Sequence, residues 1–273
     1  MNPPTATPAP PPRPVAPSPG FIPALQGLWT LQWRLRTARP RLVKTLVGIA
    51  LGLLLVLASS VHRIVFYNMV VSFYFALCVP LACLVTCGAM IREEMEERTI
   101  GFLITRPVPR WQLFLAKYLV QVTWLQILLL VVLVGLMVVG TLRGVPELGG
   151  LFLTLMVAQA LVVPAWGALA ALLGLAHARY VIFGIVYWLV VEVLLQVVPT
   201  GIHNLSLANH SKTILAQHDA LHDTTLLERI DPSDLSVGTA LFFLGLLTAV
   251  YMAASTALFH FREYLPGPDS DQS

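Results

Sequence analysis

The sequence is poor in charge and in cysteine. Charged residues make up 11% of its 273 residues and hydrophobic residues 57%, whereas soluble domains are about a quarter charged. The three cysteines, Cys78, Cys83 and Cys87, all lie in one apolar run, which excludes a disulfide-stapled secreted scaffold. The formal net charge is only +3 and the basic residues are scattered, so we expect no nucleic-acid partner. A membrane protein is the class that remains.

Six stretches are long and apolar enough to cross a bilayer as helices. A hydrocarbon core about 30 Å thick requires about 20 apolar residues, because lipid offers no partner to an unpaired backbone group. Pro80 and Pro164 interrupt the second and the fourth stretch. The sequence therefore predicts an all-α membrane protein with six transmembrane helices, which are Leu42 to Val61, Ile64 to Ile91, Tyr118 to Leu142, Leu148 to Ala176, Tyr180 to Pro199 and Leu235 to Phe259.

The basic residues predict the orientation of these spans. Six spans place both termini on the same side of the membrane. With the N-terminus inside, 12 basic residues lie inside and 4 outside, if the distant Arg13 is left out, and cytoplasmic loops are the ones that carry excess Lys and Arg. We therefore predict a multi-pass protein of the inner or plasma membrane with both termini in the cytoplasm.

The polar ends of the chain predict two cytoplasmic tails and one helix. Residues 1–23 contain ten of the twenty prolines, which is typical of an extended, disordered tail that acts as a tether or binds a proline-reading partner. In residues 24–41, the spacing of apolar residues over Ala24 to Arg36 predicts an amphipathic helix in the membrane interface, where arginines attract anionic lipid. Residues 42–263 hold the six spans, and residues 264–273 form the second tail.

The largest outer segment, residues 200–234, is rich in histidine. His218 and His222 lie four residues apart, so on a helix they share a face, as two metal ligands do. No third ligand at a fixed spacing and no HExxH pattern accompanies them. We therefore favour a solvated cap helix over a metal site, and the apolar positions within Thr213 to Arg229 predict short amphipathic helices on the outer face.

One acidic residue, Glu192, lies inside a predicted span. It is about 18 Å from Tyr180 at 1.5 Å per residue. Glu192 and Gln159 are candidates for a substrate or proton path, because intramembrane polar residues are costly and often functional. The alternative, which we favour, is a hydrogen-bonded Glu192 that holds the bundle together with Gln159 or Gln196 as partner.

The inner segment between the second and third spans has the most specific pattern. From Arg92 to Lys117 it reads REEMEERTIGFLITRPVPRWQLFLAK. Thr99 is suited to cap a short helix with Ile100 on its apolar face, and Pro107 ends that helix before the third span. The pattern predicts a stiff cytoplasmic helix between two membrane helices. Such a helix is suited to be displaced by a partner protein that binds it.

This segment resembles the signature of permease subunits of type-2 ABC exporters. That signature runs Glu-x-x-x-Gly-Thr-Leu, two or three apolar residues, Thr/Ala-x-Pro-Val-Ser-Arg, and then Gly-Lys. Arg98, Pro109 and Ala116 replace its glycine, serine and second glycine. The matching positions are Glu94, Glu97, Thr99, Ile100, Leu103, Thr105, Pro107, Val108, Arg110 and Lys117.

The resemblance implies that residues 92–111, the coupling segment, dock on a separate ATP-binding cassette ATPase subunit. It further implies export, and a transporter of two permease chains, identical or different, with two ATPase chains. The residues implied to couple to the ATPase are Glu94, Glu97, Thr99, Ile100, Pro107 and Arg110.

We expect no enzymatic activity, no metal and no bound cofactor in this chain. A Walker A loop requires Gly-Lys-Ser/Thr, and none of the lysines, Lys44, Lys117 and Lys212, follows a glycine. ATP and Mg²⁺ are therefore expected on the partner subunit. Two alternatives stay open: an intramembrane enzyme that uses Glu192 and a histidine as acid and base, and a membrane scaffold that recruits partners through its proline-rich tail.

Overall fold

The structure is a computed structural model that describes residues 21–36, 48, 52, 54, 56–57, 62–96, 109–194, 206–221, 224 and 236–261. Within these ranges every regular element is a helix. Helix α1 covers Phe21–Arg36. Helix α2 is continuous and consists of α-helical Arg63–Asn68, π-helical Met69–Cys78 and α-helical Val79–Glu96.

The remaining helices follow in chain order. Helix α3 covers Arg110–Leu142 and α4 covers Leu148–Ala176. Helix α5 is α-helical over Tyr180–Tyr187 and continues as a π-helix over Trp188–Leu194. Helix α6 covers Leu207–Leu215 and is followed by a 3₁₀ turn at Asp219–Leu221. Helix α7 covers Val237–Phe261.

Four of the described helices, α2, α3, α4 and α7, are long and apolar enough to cross a membrane. They confirm that the second, third, fourth and sixth predicted spans are long apolar helices. Of the fifth prediction, Tyr180 to Pro199, the described part is an apolar helix as far as Leu194. The first predicted span lies outside the described residues except for Gly48, Gly52, Leu54, Val56 and Leu57, which are helical. The count of six spans therefore stays a prediction.

Helix α1 packs against α3 through tryptophans. The Trp29 and Trp33 rings stack at 5.9 Å, and Trp33 meets Trp124 of α3 edge-on at 5.2 Å. The helix starts three residues before the predicted Ala24. Tryptophan is enriched at membrane interfaces, which agrees with an interfacial position for α1, although that position stays a prediction.

Helices α2 and α4 cross in backbone contact. A Cβ atom on Gly174 would collide with the carbonyl oxygen of Gly88, and one on Gly88 would lie 2.6 Å from the ring of Tyr180. Lipid gives membrane helices no hydrophobic drive to associate, so they rely on close packing between small residues. This crossing fixes the distance between α2 and α4, which carry several of the polar residues described below.

Pro80 leaves a backbone carbonyl for another helix to satisfy. Because proline has no N–H, it cannot donate to a carbonyl of the preceding turn. The indole Nε1 of Trp188 donates to the carbonyl of Ala76 in that turn, at 2.9 Å. The bond joins the π-helical stretch of α2 to the first residue of the π-helical stretch of α5.

We expect Gly174→Ala to lower the free energy of unfolding by about 1–3 kcal/mol, because the added methyl group forces α2 and α4 apart. Thermal unfolding in detergent measures the effect as a lower midpoint. Gly245→Ala is the matched control, since Gly245 is also helical and no atom lies within 4 Å of its would-be Cβ. Equal midpoints for the two variants would contradict the crossing.

We expect Trp188→Phe to destabilise the protein by about 1–3 kcal/mol, because it removes the donor that joins α5 to the carbonyl of Ala76 in α2. The same unfolding measurement serves here. Trp111→Phe removes the same atoms from a side chain that is 48% exposed, so it controls for the substitution itself. A loss no larger at position 188 than at position 111 would rule out the bond.

Candidate functional site

The residues predicted to couple to a partner lie, in sequence, at the end of α2, at the start of α3 and between the two helices. Glu94 is in the last turn of α2, and Arg110 is the first residue of α3. The Arg110 guanidinium donates to the carbonyl of His260, near the end of α7, at 3.3 Å. Three of the long helices therefore meet beside the coupling segment. The remaining predicted contacts lie outside the described residues and stay predictions, namely Glu97, Thr99, Ile100 and Pro107.

Two donors on one face of α3 hold it to α2 near this end. Lys117 is only 4% exposed, and its Nζ donates to the carbonyl of Met90 at 3.1 Å. One turn further, Gln121 Nε2 donates to the carbonyl of Thr86 at 3.1 Å. The sequence pattern included Lys117 but gave it no structural role. In the sequence, these two bonds are indicated by a lysine and a glutamine four residues apart in an apolar helix, because residues at that spacing share one face.

Gln159 lies at the centre of a polar network that joins three helices. The Tyr74 hydroxyl of α2 donates to Gln159 Oε1 at 2.7 Å. Gln159 Nε2 in turn donates to Gln126 Oε1 of α3 at 3.0 Å. The side chain of Gln159 is buried, and its amide oxygen and nitrogen both have partners in the neighbouring helices. This geometry supports a role in holding the bundle together, while a place in a translocation path stays a prediction.

Gln126 also compensates for the second intramembrane proline. Pro164, inside α4, cannot donate to the carbonyl of Ala160. Gln126 Nε2 lies 3.4 Å from that carbonyl and 3.2 Å from the carbonyl of Gln159. A neighbouring helix thus supplies a donor at this proline, as Trp188 does at Pro80.

Glu192 is 3% exposed and caps helix α6. Ser206 Oγ donates to its Oε2, and the backbone amides of Leu207 and Ala208 donate to Oε1 at 3.1 Å and to Oε2 at 2.8 Å. A helix N-terminus carries unsatisfied N–H groups and a partial positive charge, and both favour a carboxylate. The buried ammonium of Lys212, within the same helix, adds a favourable charge interaction.

Gln159 as the partner of Glu192 was a wrong prediction, and Gln196 lies outside the described residues. The two polar groups belong to separate networks, because the Glu192 carboxylate is used by the start of α6. Ser206 Oγ also accepts a bond from the Asn209 backbone amide at 3.1 Å, which is a standard N-cap. A serine at this point in the outer segment is the signal that predicts a helix start here.

Helix α6, within the outer segment, is buried rather than solvated, whereas the predicted solvated cap helix with His218 and His222 reaches outside the described residues and stays a prediction. Helix α6 packs against α4, α7 and the π-helical part of α5, and apart from the partly exposed Ala208 its residues are buried. Its hydroxyl groups need no water, because Ser211 Oγ donates to the carbonyl of Ala208 at 2.8 Å and Thr213 Oγ1 to that of Asn209 at 3.0 Å. Polar residues satisfied within their own helix are compatible with burial.

The outer histidines take part in this packing. The His210 ring stacks on Phe243 of α7 at 5.2 Å, and the position of His218 is next to Gly150 at the start of α4. Within the described ranges no three potential metal ligands come together. His203 and His222 lie outside those ranges, so the pairing of His218 with His222 stays untested.

Comparison with known proteins agrees with these features. A family model described as ABC-2 family transporter protein matches residues 42–194, a range that includes the coupling segment, Gln159 and Glu192. A comparison with curated proteins returns no match. The match covers more than half of the chain. The chain also contains the long apolar helices that a membrane-embedded transport component requires. The chain belongs to the ABC-2 family of transporter proteins, as a multi-pass membrane permease.

Proposed function

We propose that this permease is the transmembrane subunit of an ATP-driven exporter. Its coupling segment docks on a separate ATP-binding cassette ATPase, which binds ATP and Mg²⁺. Membership of the ABC-2 family supports the ATPase partner and a transport role without catalysis by this chain. The resemblance of Arg92 to Lys117 to the exporter signature supports the outward direction. A second permease chain, identical or different, completes the membrane part.

The observation that carries the proposal is the attachment of both ends of the coupling segment to the bundle. Just before its start, Met90 of α2 accepts the bond from Lys117 of α3, which follows its end. At its end, Arg110 of α3 bonds to His260 of α7. A displacement of the segment by a partner therefore moves α2 and α3 together and reaches α7 as well.

Energy coupling then follows from a difference in contacts. A partner shifts a two-state equilibrium only as far as it binds one state better than the other. If the ATP-bound partner favours one membrane conformation through the coupling segment, the membrane conformation changes ATP turnover in return. The hydrogen bonds of Glu192 give no support to an intramembrane enzyme, because α6 uses both of its carboxylate oxygens. A place for Glu192 or Gln159 along the translocation path is part of this proposal.

We expect Glu94→Ala, Glu97→Ala to weaken the ATPase partnership. In a detergent pull-down from membranes, the wild-type chain brings down an ATPase with a Walker A loop. The double variant loses that subunit, or its ATP turnover falls on the order of tenfold, because a coupling contact is lost.

A control with the same charge change tests the position of the effect. Glu147→Ala, Asp219→Ala removes two acids from the opposite end of the bundle, where Glu147 precedes α4 and Asp219 is exposed. This variant keeps both the partner and its turnover. If no ATPase copurifies with wild type in gentle detergent with a crosslinker, the transporter proposal fails and the scaffold alternative takes its place. Equal losses in both double variants would contradict coupling through residues 92–111.

A further inference from the structure

The outer end of the bundle contains a short buried helix. Helix α6 has nine residues and lies against α4, α7 and the π-helical part of α5. Helices this short are unstable alone in water, so its conformation depends on the contacts around it. It lies outside the range that the family model matches.

Glu192 holds this helix at its first turn. Its two carboxylate oxygens accept bonds from Ser206 Oγ and from two backbone amides. The low dielectric of the bundle makes these hydrogen bonds stronger than they would be in water. The start of α6 is thus attached to α5 by a directional contact that apolar packing alone does not provide.

The same stretch of α5 is attached to α2. Trp188 lies four residues before Glu192 and bonds to the carbonyl of Ala76. Helix α2 then runs without a break to Glu94 and the coupling segment. A continuous path therefore leads from the coupling segment through α2, Trp188 and Glu192 to the outer helix.

We propose that Glu192 and Ser206 form a latch that keeps α6 in the outer end of the bundle, and that release of this latch opens the outer end during transport. The role in transport rests on the proposed function, whereas the latch is a property of this chain alone. The polar side chains of α6, among them Ser211 and Thr213, become accessible to water once the helix leaves its place.

The test uses a thiol reporter on the buried helix. Ser211→Cys is a small change at a buried position, and the purified full-length chain in nanodiscs exposes both membrane faces to a water-soluble maleimide. Gln217→Cys, at an exposed position, gives the fast reference rate. The chain with no added cysteine gives the background from its own thiols, of which Cys83 and Cys87 are buried.

We expect Ser211→Cys to react slowly in the otherwise wild-type chain and about tenfold faster when Ser206→Ala is added, because the first turn of α6 then loses both the bond to Glu192 and the N-cap bond from Asn209. Glu192→Gln, which keeps the side-chain shape but removes the charge, produces at least as large an increase. Ser255→Ala is the matched control, because Ser255 is a fully buried serine whose hydroxyl bonds within α7. It leaves the rate unchanged.

Two outcomes overturn the proposal. One is a rate for Ser211→Cys equal to that of Gln217→Cys, which means that α6 is not held in place. The other is an unchanged rate with Ser206→Ala in protein that elutes as a single species. If Glu192→Gln fails to fold, the conservative Ser206→Ala still decides.

The readout needs no ATPase, so its result is separate from that of the proposed function. Accelerated labelling without a copurifying ATPase supports the latch and refutes the transport role. A copurifying ATPase together with an unchanged labelling rate supports the transport role and refutes the latch. When both hold, adding ATP and the partner to the Ser211→Cys chain raises the labelling rate, and a constant rate refutes the opening step.

Discussion

The constraint on which this structure depends is that lipid cannot hydrogen-bond to a backbone carbonyl. Pro80 and Pro164 each remove an N–H from the helical hydrogen bonding, and in both cases a side chain from a neighbouring helix donates to a carbonyl of the preceding turn. Trp188 of α5 donates to Ala76 of α2, and Gln126 of α3 lies within bonding distance of the carbonyls of Ala160 and Gln159 of α4. Each proline is thus accompanied by a specific hydrogen bond between two helices. Apolar packing alone would not determine which helices lie side by side.

The functional features follow from these attachments. Trp188 fixes the π-helical stretch of α5 against α2, and Glu192 on the same stretch meets the first turn of α6. At the other end, the bond from Lys117 to the carbonyl of Met90 uses the same chemistry to hold α3 to α2 beside the coupling segment. Donors aimed at backbone carbonyls, together with glycine contacts such as that between Gly88 and Gly174, give the bundle a defined geometry in a solvent that provides no hydrophobic drive between helices.

Hydropathy predicts the long helices well, because crossing a bilayer requires length and apolar composition and little else. The coupling segment was recognisable because residues such as Thr99, Pro107 and Arg110 keep a spacing within one short stretch. The burial of α6 was not predictable from composition, since histidine, lysine and serine indicate a solvated segment, and only the structure shows the hydroxyl groups bonded within their own helix. The bond between Glu192 and Ser206 was also missed, because the sequence pattern does not indicate the path of the chain that connects these two residues. The π-helical stretches carried no recognised signal.

A double-mutant cycle between Gln126 and Pro164 tests the central claim most directly. Gln126→Leu removes the donor, and Pro164→Ala restores a backbone N–H that reaches the carbonyl of Ala160. The unfolding free energies of the two single variants and the double variant are measured in the same detergent. We predict that Gln126→Leu costs about 1 kcal/mol less in the Pro164→Ala background than in wild type, because the carbonyl no longer needs a donor from α3. An equal cost in both backgrounds would contradict the claim that the neighbouring helix compensates for the proline.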